Sequence, residues 1–335
     1  MITTLLVPLS WCLPIVLLCI LFPIIIFLFF AVDRYPFLSL KGKRVVVTGG
    51  SSGIGLATTR RCIQKGASVV IVARNVQKLE KATADLQKEL GVGDDRISWI
   101  SADVGDEGAA RNAMDTAAER LGGLDILITS AGVSMPNYFE KYPEGEFERL
   151  MRINYLGTVY CSLGALPHLK AAKGGRLVFV SSLAGLFGLV GFATYSPSKA
   201  AVKGLAETLH MELRPHNIQV TLVNPADVDT PMYELEQKNK PLACKKISEG
   251  AGVFKPEVIA SDIVGAIEQW RFLVHTGFDA NIVGHLTAGF GPADSVSDAL
   301  LQIFSMGILR LVSIGYLWYF NRLTVQCYKE ENKSK

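Results

Sequence analysis

No two cysteines in this chain of 335 residues stand at Cys-x-x-Cys spacing. Cys12 and Cys19 fall in an apolar N-terminal run, and Cys62, Cys161, Cys244 and Cys327 are scattered through the rest. That distribution points to reduced thiols and argues against a disulfide framework or a zinc site, so no metal is expected. An excess of one charge is also lacking. The 34 Lys and Arg against 31 Asp and Glu leave a net charge of +3 without clusters, which gives a nucleic acid nothing to bind. No internal repeat and no low-complexity segment is found, which excludes solenoids and arrays. No basic residue precedes the first apolar run, so a cleaved signal peptide would lack its charged start.

What is present begins at the ends. Trp11 to Val32 is a run of 22 residues without charge and without Ser, Thr, Asn or Gln. As a helix it would extend about 33 Å, enough for a bilayer core of about 30 Å. Pro14 and Pro23 lie inside it and are tolerated in a membrane helix at the cost of a kink. Residues 1–36 are therefore expected to be a membrane anchor. Arg34, Lys41, Lys43 and Arg44 follow the run closely, so the positive-inside tendency places the main domain in the cytosol.

At the far end Ala299 to Phe320 is long and mostly apolar, but Arg310 sits at its middle, with Gln302 and Ser305 nearby. An arginine at the bilayer centre costs roughly 2.5 to 3.5 kcal/mol. A second span, an in-plane interfacial helix and a core helix all remain open. Residues 276–335 are expected to form a membrane-associated segment with a solvated charged tail from Lys329. Gly284 to Gly291 reads equally as a lid or a re-entrant turn.

Between the ends, short β-branched runs alternate with helical stretches, the pattern of a parallel sheet built from βαβ units. Strands are expected at Arg44 to Thr48, Ser68 to Ala73, Ile97 to Ala102, Ile126 to Thr129, Leu177 to Ser181 and Gln219 to Asn224. Helices are expected at Ala57 to Lys65 and Val76 to Leu90. Unbroken runs such as Val45-Val46-Val47 suit strands buried on both faces. The fold class is α/β, a Rossmann-type doubly wound parallel sheet forming one catalytic domain over residues 40–275.

Directly after the first strand stands Thr48-Gly49-Gly50-Ser51-Ser52-Gly53-Ile54-Gly55. Glycines there let the backbone turn tightly and approach a pyrophosphate, whose charge rests on the following helix N-terminus. The second strand ends in Ala73-Arg74-Asn75, where an acid would hold the ribose of NAD and an arginine accommodates a 2′-phosphate. NADPH is therefore the expected cofactor, with Lys78 as a second phosphate partner. Asp103, followed by Val104, reads either as an adenine neighbour or as a helix cap.

Ser181 to Lys199 places Ser181, Ser182, Tyr195 and Lys199 on one segment. In a helix Tyr195 and Lys199 share a face. A phenol with its ordinary pKa near ~10 becomes a useful acid-base group when a neighbouring cation stabilises its anion, and Lys199 is that cation.

These features together resemble the short-chain dehydrogenase/reductase superfamily. The resemblance rests on Thr48-Gly49-x-x-x-Gly53-x-Gly55, Ala131-Gly132, Asn154 in Ile-Asn-Tyr-Leu-Gly, Ser181-Ser182, Tyr195-x-x-x-Lys199 and Asn224-Pro225, in that order. It implies a seven-stranded sheet and a site at the carboxyl ends of the strands. It also implies roles. Tyr195 would protonate the carbonyl oxygen, while Lys199 would lower the Tyr195 pKa and bind the nicotinamide ribose. Ser182 would hydrogen-bond the substrate oxygen, with Ser181 the neighbouring candidate, and Asn154 would hold a relay water. Ala131, Gly132, Pro225 and Thr230 would touch the cofactor. The chain departs from the pattern at Thr129-Ser130, where many members have two asparagines, and at Pro197, between Tyr195 and Lys199. The Tyr195 to Lys199 geometry survives if the helix starts near Ser196, because a proline in a first turn has no intrahelical N–H bond to lose.

The run Asp227-Val228-Asp229-Thr230-Pro231-Met232-Tyr233-Glu234, with Asn239-Lys240-Pro241-Leu242 and Ile247-Ser248-Glu249, resembles a narrower family. Its members are endoplasmic-reticulum membrane reductases that reduce the 3-keto group of a long-chain sphingoid base with NADPH. Asp227 and Asp229 would pair with a substrate ammonium or cap the helix before Pro231. Reduction of another lipophilic ketone (steroid, retinoid or 3-ketoacyl-CoA) and a non-catalytic NADP-binding scaffold are the alternatives. Association into a homo-oligomer stays open.

Overall fold

The computed structural model describes residues 21–32, 35–249, 252–289 and 291–333. An apolar helix, α1 (Leu21–Ala31), leads in. Residues 1–20, 33 and 34 of the expected anchor lie outside the described residues. Strand and helix then alternate as β1 (Arg44–Thr48), α2 (Gly53–Gln64), β2 (Ser68–Ala73), α3 (Val76–Leu90), β3 (Ile97–Ser101), α4 (Glu107–Leu121) and β4 (Ile126–Thr129). Next come α5 (Glu146–Leu150), α6 (Gly157–Ala171), β5 (Gly175–Val180), α7 (Tyr195–Glu212), β6 (Ile218–Asn224), β7 (Asp227–Val228), α8 (Pro231–Asn239) and α9 (Leu242–Ser248). The chain closes with β8 (Val253–Phe254), α10 (Pro256–Gln269), β9 (Leu273–His275), α11 (Phe278–Leu286) and α12 (Val296–Lys333).

Seven parallel strands form one sheet in the order β3-β2-β1-β4-β5-β6-β9, the doubly wound arrangement expected. The valine run of β1 explains why both faces are covered. Val45 and Val47 pack with α2, α3 and α10, whereas Val46 points the other way into α4, α6 and α7. Chain order reverses between β1 and β4, which opens a crevice at the carboxyl ends of those strands.

Several boundaries differ from the sequence expectation. The first sheet helix begins at Gly53, inside the glycine motif, and not at Ala57. β3 stops at Ser101, and β5 runs from Gly175 to Val180, so Ser181 lies just beyond the strand. α7 begins at Tyr195, one residue before the expected start, which puts Pro197 in its first turn where no intrahelical N–H bond is lost. β9 was missed because three residues are too few for a periodic signal.

The C-terminal segment corrects two expectations. α12 is one helix of 38 residues, and 18 consecutive residues within its Val296–Glu331 stretch have a mean hydropathy of 1.6. Its Leu301, Phe304, Ile308, Leu311, Ile314 and Trp318 are exposed, so it is not a core helix. Its tail is not merely solvated either. The Glu331 carboxylate accepts from the Tyr138 hydroxyl at 2.9 Å and from the Leu242 amide at 3.0 Å, while Glu330 pairs with Lys246 at 3.1 Å. Near its start Asp298 meets His285 of α11 at 3.0 Å. Both ends of α12 are thus tied to the catalytic domain. The glycine-rich stretch before it carries the end of α11, and Gly284 is required there because an added Cβ would lie 2.3 Å from the His275 ring. Gly284→Ala is expected to lower the melting temperature by several degrees through overpacking of about 1–3 kcal/mol, measurable by thermal denaturation.

Candidate active site

The crevice holds a cavity of about 830 Å³ whose lining runs from the glycine turn past Tyr195 to α11 and α12. At its glycine end the backbone is packed so closely that side chains have no room. A Cβ on Gly55 would stand 2.4 Å from the Gly49 carbonyl, and one on Gly49 would stand 2.8 Å from the Ala131 amide. Gly49 also has a φ of +68°, which favours glycine. Ser52 precedes α2 with extended backbone and makes no side-chain cap, and no acid occupies the first turn. The first amides of α2 therefore remain available to an anion at the positive end of the helix.

Gly49, Ser52, Gly53, Ile54, Gly55, Ala131, Gly132, Pro225 and Thr230 all line this cavity, whereas Ser51 does not. Thr230 links two walls. Its hydroxyl caps α8 through the Tyr233 amide, and its methyl lies 2.9 Å from where a Gly53 Cβ would be. Thr230, not Asp227 or Asp229, is thus the helix cap before Pro231.

Arg74 and Asp103 stand outside the cavity lining and face each other across adjacent strand ends at 3.7 Å, both side chains largely exposed. Asp103 accepts from the Gly105 amide at 2.9 Å, and the cap of α4 is Asp106, so the helix-cap reading of Asp103 fails. Lys78 is exposed on the first turn of α3, where its amide is capped by Asn75. Val104 packs against Gly157 at the start of α6 and belongs to the core.

Tyr195 and Lys199 lie buried on one face of α7, with the Lys199 ammonium 5.7 Å from the Tyr195 ring centroid. Burial pushes the Tyr195 phenol well above its ordinary pKa, the charge of Glu236 pushes it further, the Ser182 hydroxyl pulls it back, and Asp227 adds a smaller upward push. The Lys199 ammonium donates to the Val180 carbonyl at 2.9 Å, at the end of β5, and burial brings its pKa to about 8.

The two serines have separate uses. The Ser181 hydroxyl donates to the Lys199 carbonyl at 2.9 Å and ties β5 to α7, whereas Ser182 stands beside Tyr195 and accepts from the Ala184 amide. Asn154 sits in a π-helical turn, Met151–Leu156, between α5 and α6. Its side chain accepts from the Val133 amide and donates to the Val133 carbonyl and the Ser198 hydroxyl, each at 2.9 Å. The missing side chain of Gly132 leaves a gap in this wall between Asn154 and Lys199. A Cβ there would lie 3.3 Å from Asn154 Oδ1 and 3.5 Å from Lys199 Nζ.

Sequence reasoning did not find the charged group opposite Tyr195. Lys240, whose side chain is fully buried, pairs with Asp227 at 3.0 Å and lies over the Phe192 and Tyr233 rings. Glu236, one turn earlier on α8, is 6% exposed and lines the cavity. Burial raises the Glu236 pKa to about 6 against the opposing influence of Ser134 and Lys240. A lone glutamate inside an amphipathic helix carries no local signal, and only the packing of α8 turns it inward.

A family model described as short chain dehydrogenase matches residues 43–241. A Mus musculus protein named 3-ketodihydrosphingosine reductase is 42% identical over 297 residues, covering 88% of this chain and 90% of that one. A Danio rerio protein named 3-dehydrosphinganine reductase is 40% identical over 300 residues, covering 89% and 90%. Among solved structures, a short chain dehydrogenase from Burkholderia cenocepacia in complex with NADP is similar with a TM-score of 0.60 and 30% identity. It covers 69% of this chain and 92% of its own.

Proposed function

The chain belongs to the short chain dehydrogenase family, and from that premise we propose that it is an NADPH-dependent oxidoreductase of a long-chain ketone, 3-ketodihydrosphingosine. The observation that carries this reading is the single cavity joining Tyr195 and the glycine turn to an apolar wall that includes Phe320, Leu317 and Leu309 of α12. A polar reacting group fits one end and an alkyl chain the other.

The residues present fit the cofactor. The side-chain-free turn at Gly49, Gly53 and Gly55 and the uncapped start of α2 would hold its pyrophosphate, and Arg74 with Lys78 its 2′-phosphate. Bound there, NADPH would supply the hydride that reduces the carbonyl. Tyr195 gives its proton to the carbonyl oxygen, and its raised pKa keeps that proton in place through neutral pH. Ser182 orients the same oxygen. Lys199 returns a proton towards Tyr195 and is itself recharged through the gap at Gly132, with Asn154 fixing the shape of that gap.

Lys199 must carry its proton to do this, so kcat/KM for reduction is expected to be level between about pH 6 and pH 8 and to fall tenfold per unit above about pH 8. A pH profile measured at saturating NADPH checks this. A rate that rises through pH 8 would contradict the role. For Arg74, loss of a charge-assisted phosphate contact amounts to roughly 10-fold or more in affinity. Arg74→Ala is expected to weaken NADPH binding by that factor and to leave NADH binding unchanged, read by cofactor fluorescence titration.

In this reading α12 lies in the membrane interface at the endoplasmic reticulum, with the catalytic domain on the cytosolic side. What supports an in-plane helix is that both its ends bind the same domain while its outward face is apolar. Spin labels at 304, 311 and 318 should report one common depth. A spanning helix would separate the outer two by about 21 Å, at 1.5 Å per residue.

Turnover of 3-ketodihydrosphingosine, a steroid ketone, retinal and a 3-ketoacyl-CoA by the purified protein tests the substrate. Reduction of the first is expected, and reduction of any of the others without it would overturn the assignment.

A further inference from the structure

The proposed substrate carries an amine on the carbon next to its carbonyl, so its ammonium must lie close to whatever holds the carbonyl oxygen. Two carboxylates act electrostatically on Tyr195, Glu236 and Asp227. Asp227 is already neutralised by Lys240 at 3.0 Å, and Asp229 is exposed to solvent. Glu236 lines the cavity, is buried, and forms no ion pair among the described residues. The cation that acts on it is Lys240, four residues further on and just past the end of α8. Its ammonium is drawn instead to Asp227 and to the faces of Phe192 and Tyr233.

A buried carboxylate without an ion pair is costly to maintain in a fold, and a cation arriving from outside would offset that cost. We propose that Glu236 is the counter-ion for the substrate ammonium and the residue that selects an amino ketone over a plain long-chain ketone. This deepens, and rests on, the reading that the chain reduces 3-ketodihydrosphingosine. The rigidity needed is built in. Thr230 caps α8 and packs on the glycine turn, Pro231 fixes its first turn, and the Lys240–Asp227 pair holds its far end to β7. The helix therefore registers Glu236 against both the cofactor turn and Tyr195.

The test compares 3-ketodihydrosphingosine with its deamino counterpart, 1-hydroxy-3-octadecanone, on wild type, Glu236→Gln and Glu236→Asp. Wild type should prefer the amino ketone. Glu236→Gln should raise its KM by about 10- to 100-fold, the range of a charge-assisted hydrogen bond, and should lower kcat/KM for the amino ketone at least tenfold more than for the plain ketone. Glu236→Asp should recover part of the loss. NADPH affinity and melting temperature report that the variants are folded.

Equal losses on both ketones would assign Glu236 a structural role and overturn the proposal, as would no loss on either. Should the variants fail to fold, the wild-type preference decides. Reduction of both ketones with equal kcat/KM overturns the ammonium site while leaving long-chain ketone reduction standing. Reduction of neither ketone overturns the functional reading and the proposal with it.

Discussion

Tyr195→Phe is expected to lower kcat for carbonyl reduction by roughly 10²- to 10⁴-fold, the usual contribution of a positioned general acid. The substitution removes one hydroxyl and keeps the ring that packs against Phe192 at 5.5 Å, so α7 and its contacts stay in place. NADPH binding should be unaffected, because the glycine turn and Arg74 make no use of the phenol. The phenol is a demanding acid in this setting. Burial and the charge of Glu236 favour its protonated form, which suits proton donation at neutral pH and makes its own recharging depend on Lys199. A variant that reduces ketone at the wild-type rate while binding NADPH normally would remove Tyr195 from the reaction.

The complementary loss is expected from Gly55→Ala. Its Cβ would stand 2.4 Å from the Gly49 carbonyl and 3.1 Å from the Gly50 amide, both backbone atoms that cannot swing aside. The turn must open to admit the methyl, and the amides at the start of α2 then lose their common aim. A cost near the upper ~3 kcal/mol of overpacking corresponds to on the order of 100-fold in NADPH affinity. Titration of NADPH fluorescence reads this directly, and far-ultraviolet circular dichroism checks that the sheet persists. The two variants separate binding from chemistry: one keeps NADPH and loses turnover, the other loses NADPH first.

What could be read from the sequence followed the range of each signal. β1 and the glycine turn are contiguous, and a valine run followed by closely spaced glycines has few other structural meanings, although the start of α2 within the turn was not legible. Tyr195 and Lys199 were readable because four residues of helix bring them to one face, and Pro197 does not disturb this in the first turn. Ser181 and Ser182 could not be separated from spacing alone. Their difference arises where β5 ends: Val180 is the last strand residue, so the Ser181 hydroxyl turns to the Lys199 carbonyl and the Ser182 hydroxyl stands beside Tyr195.

The charges near the substrate were partly misread for a similar reason. Asp227 was recognised as acidic and close to the site, yet its partner Lys240 is thirteen residues away and meets it only after α8 folds back. Glu236 was not singled out at all. Nor did the composition of the C-terminal tail disclose that Glu330 and Glu331 reach Lys246, Tyr138 and Leu242, since hydrogen bonds across such a distance in the chain leave no local pattern. Those contacts turn an apolar stretch that looked detachable into a wall of the cavity.

The measurement that tests the account most directly is mass-spectrometric product analysis of the purified protein with 3-ketodihydrosphingosine and either NADPH or NADH. The account predicts the corresponding amino diol, dihydrosphingosine, formed with NADPH and much more slowly with NADH. Absence of that product with both cofactors, or an equal yield from NADH, would contradict it.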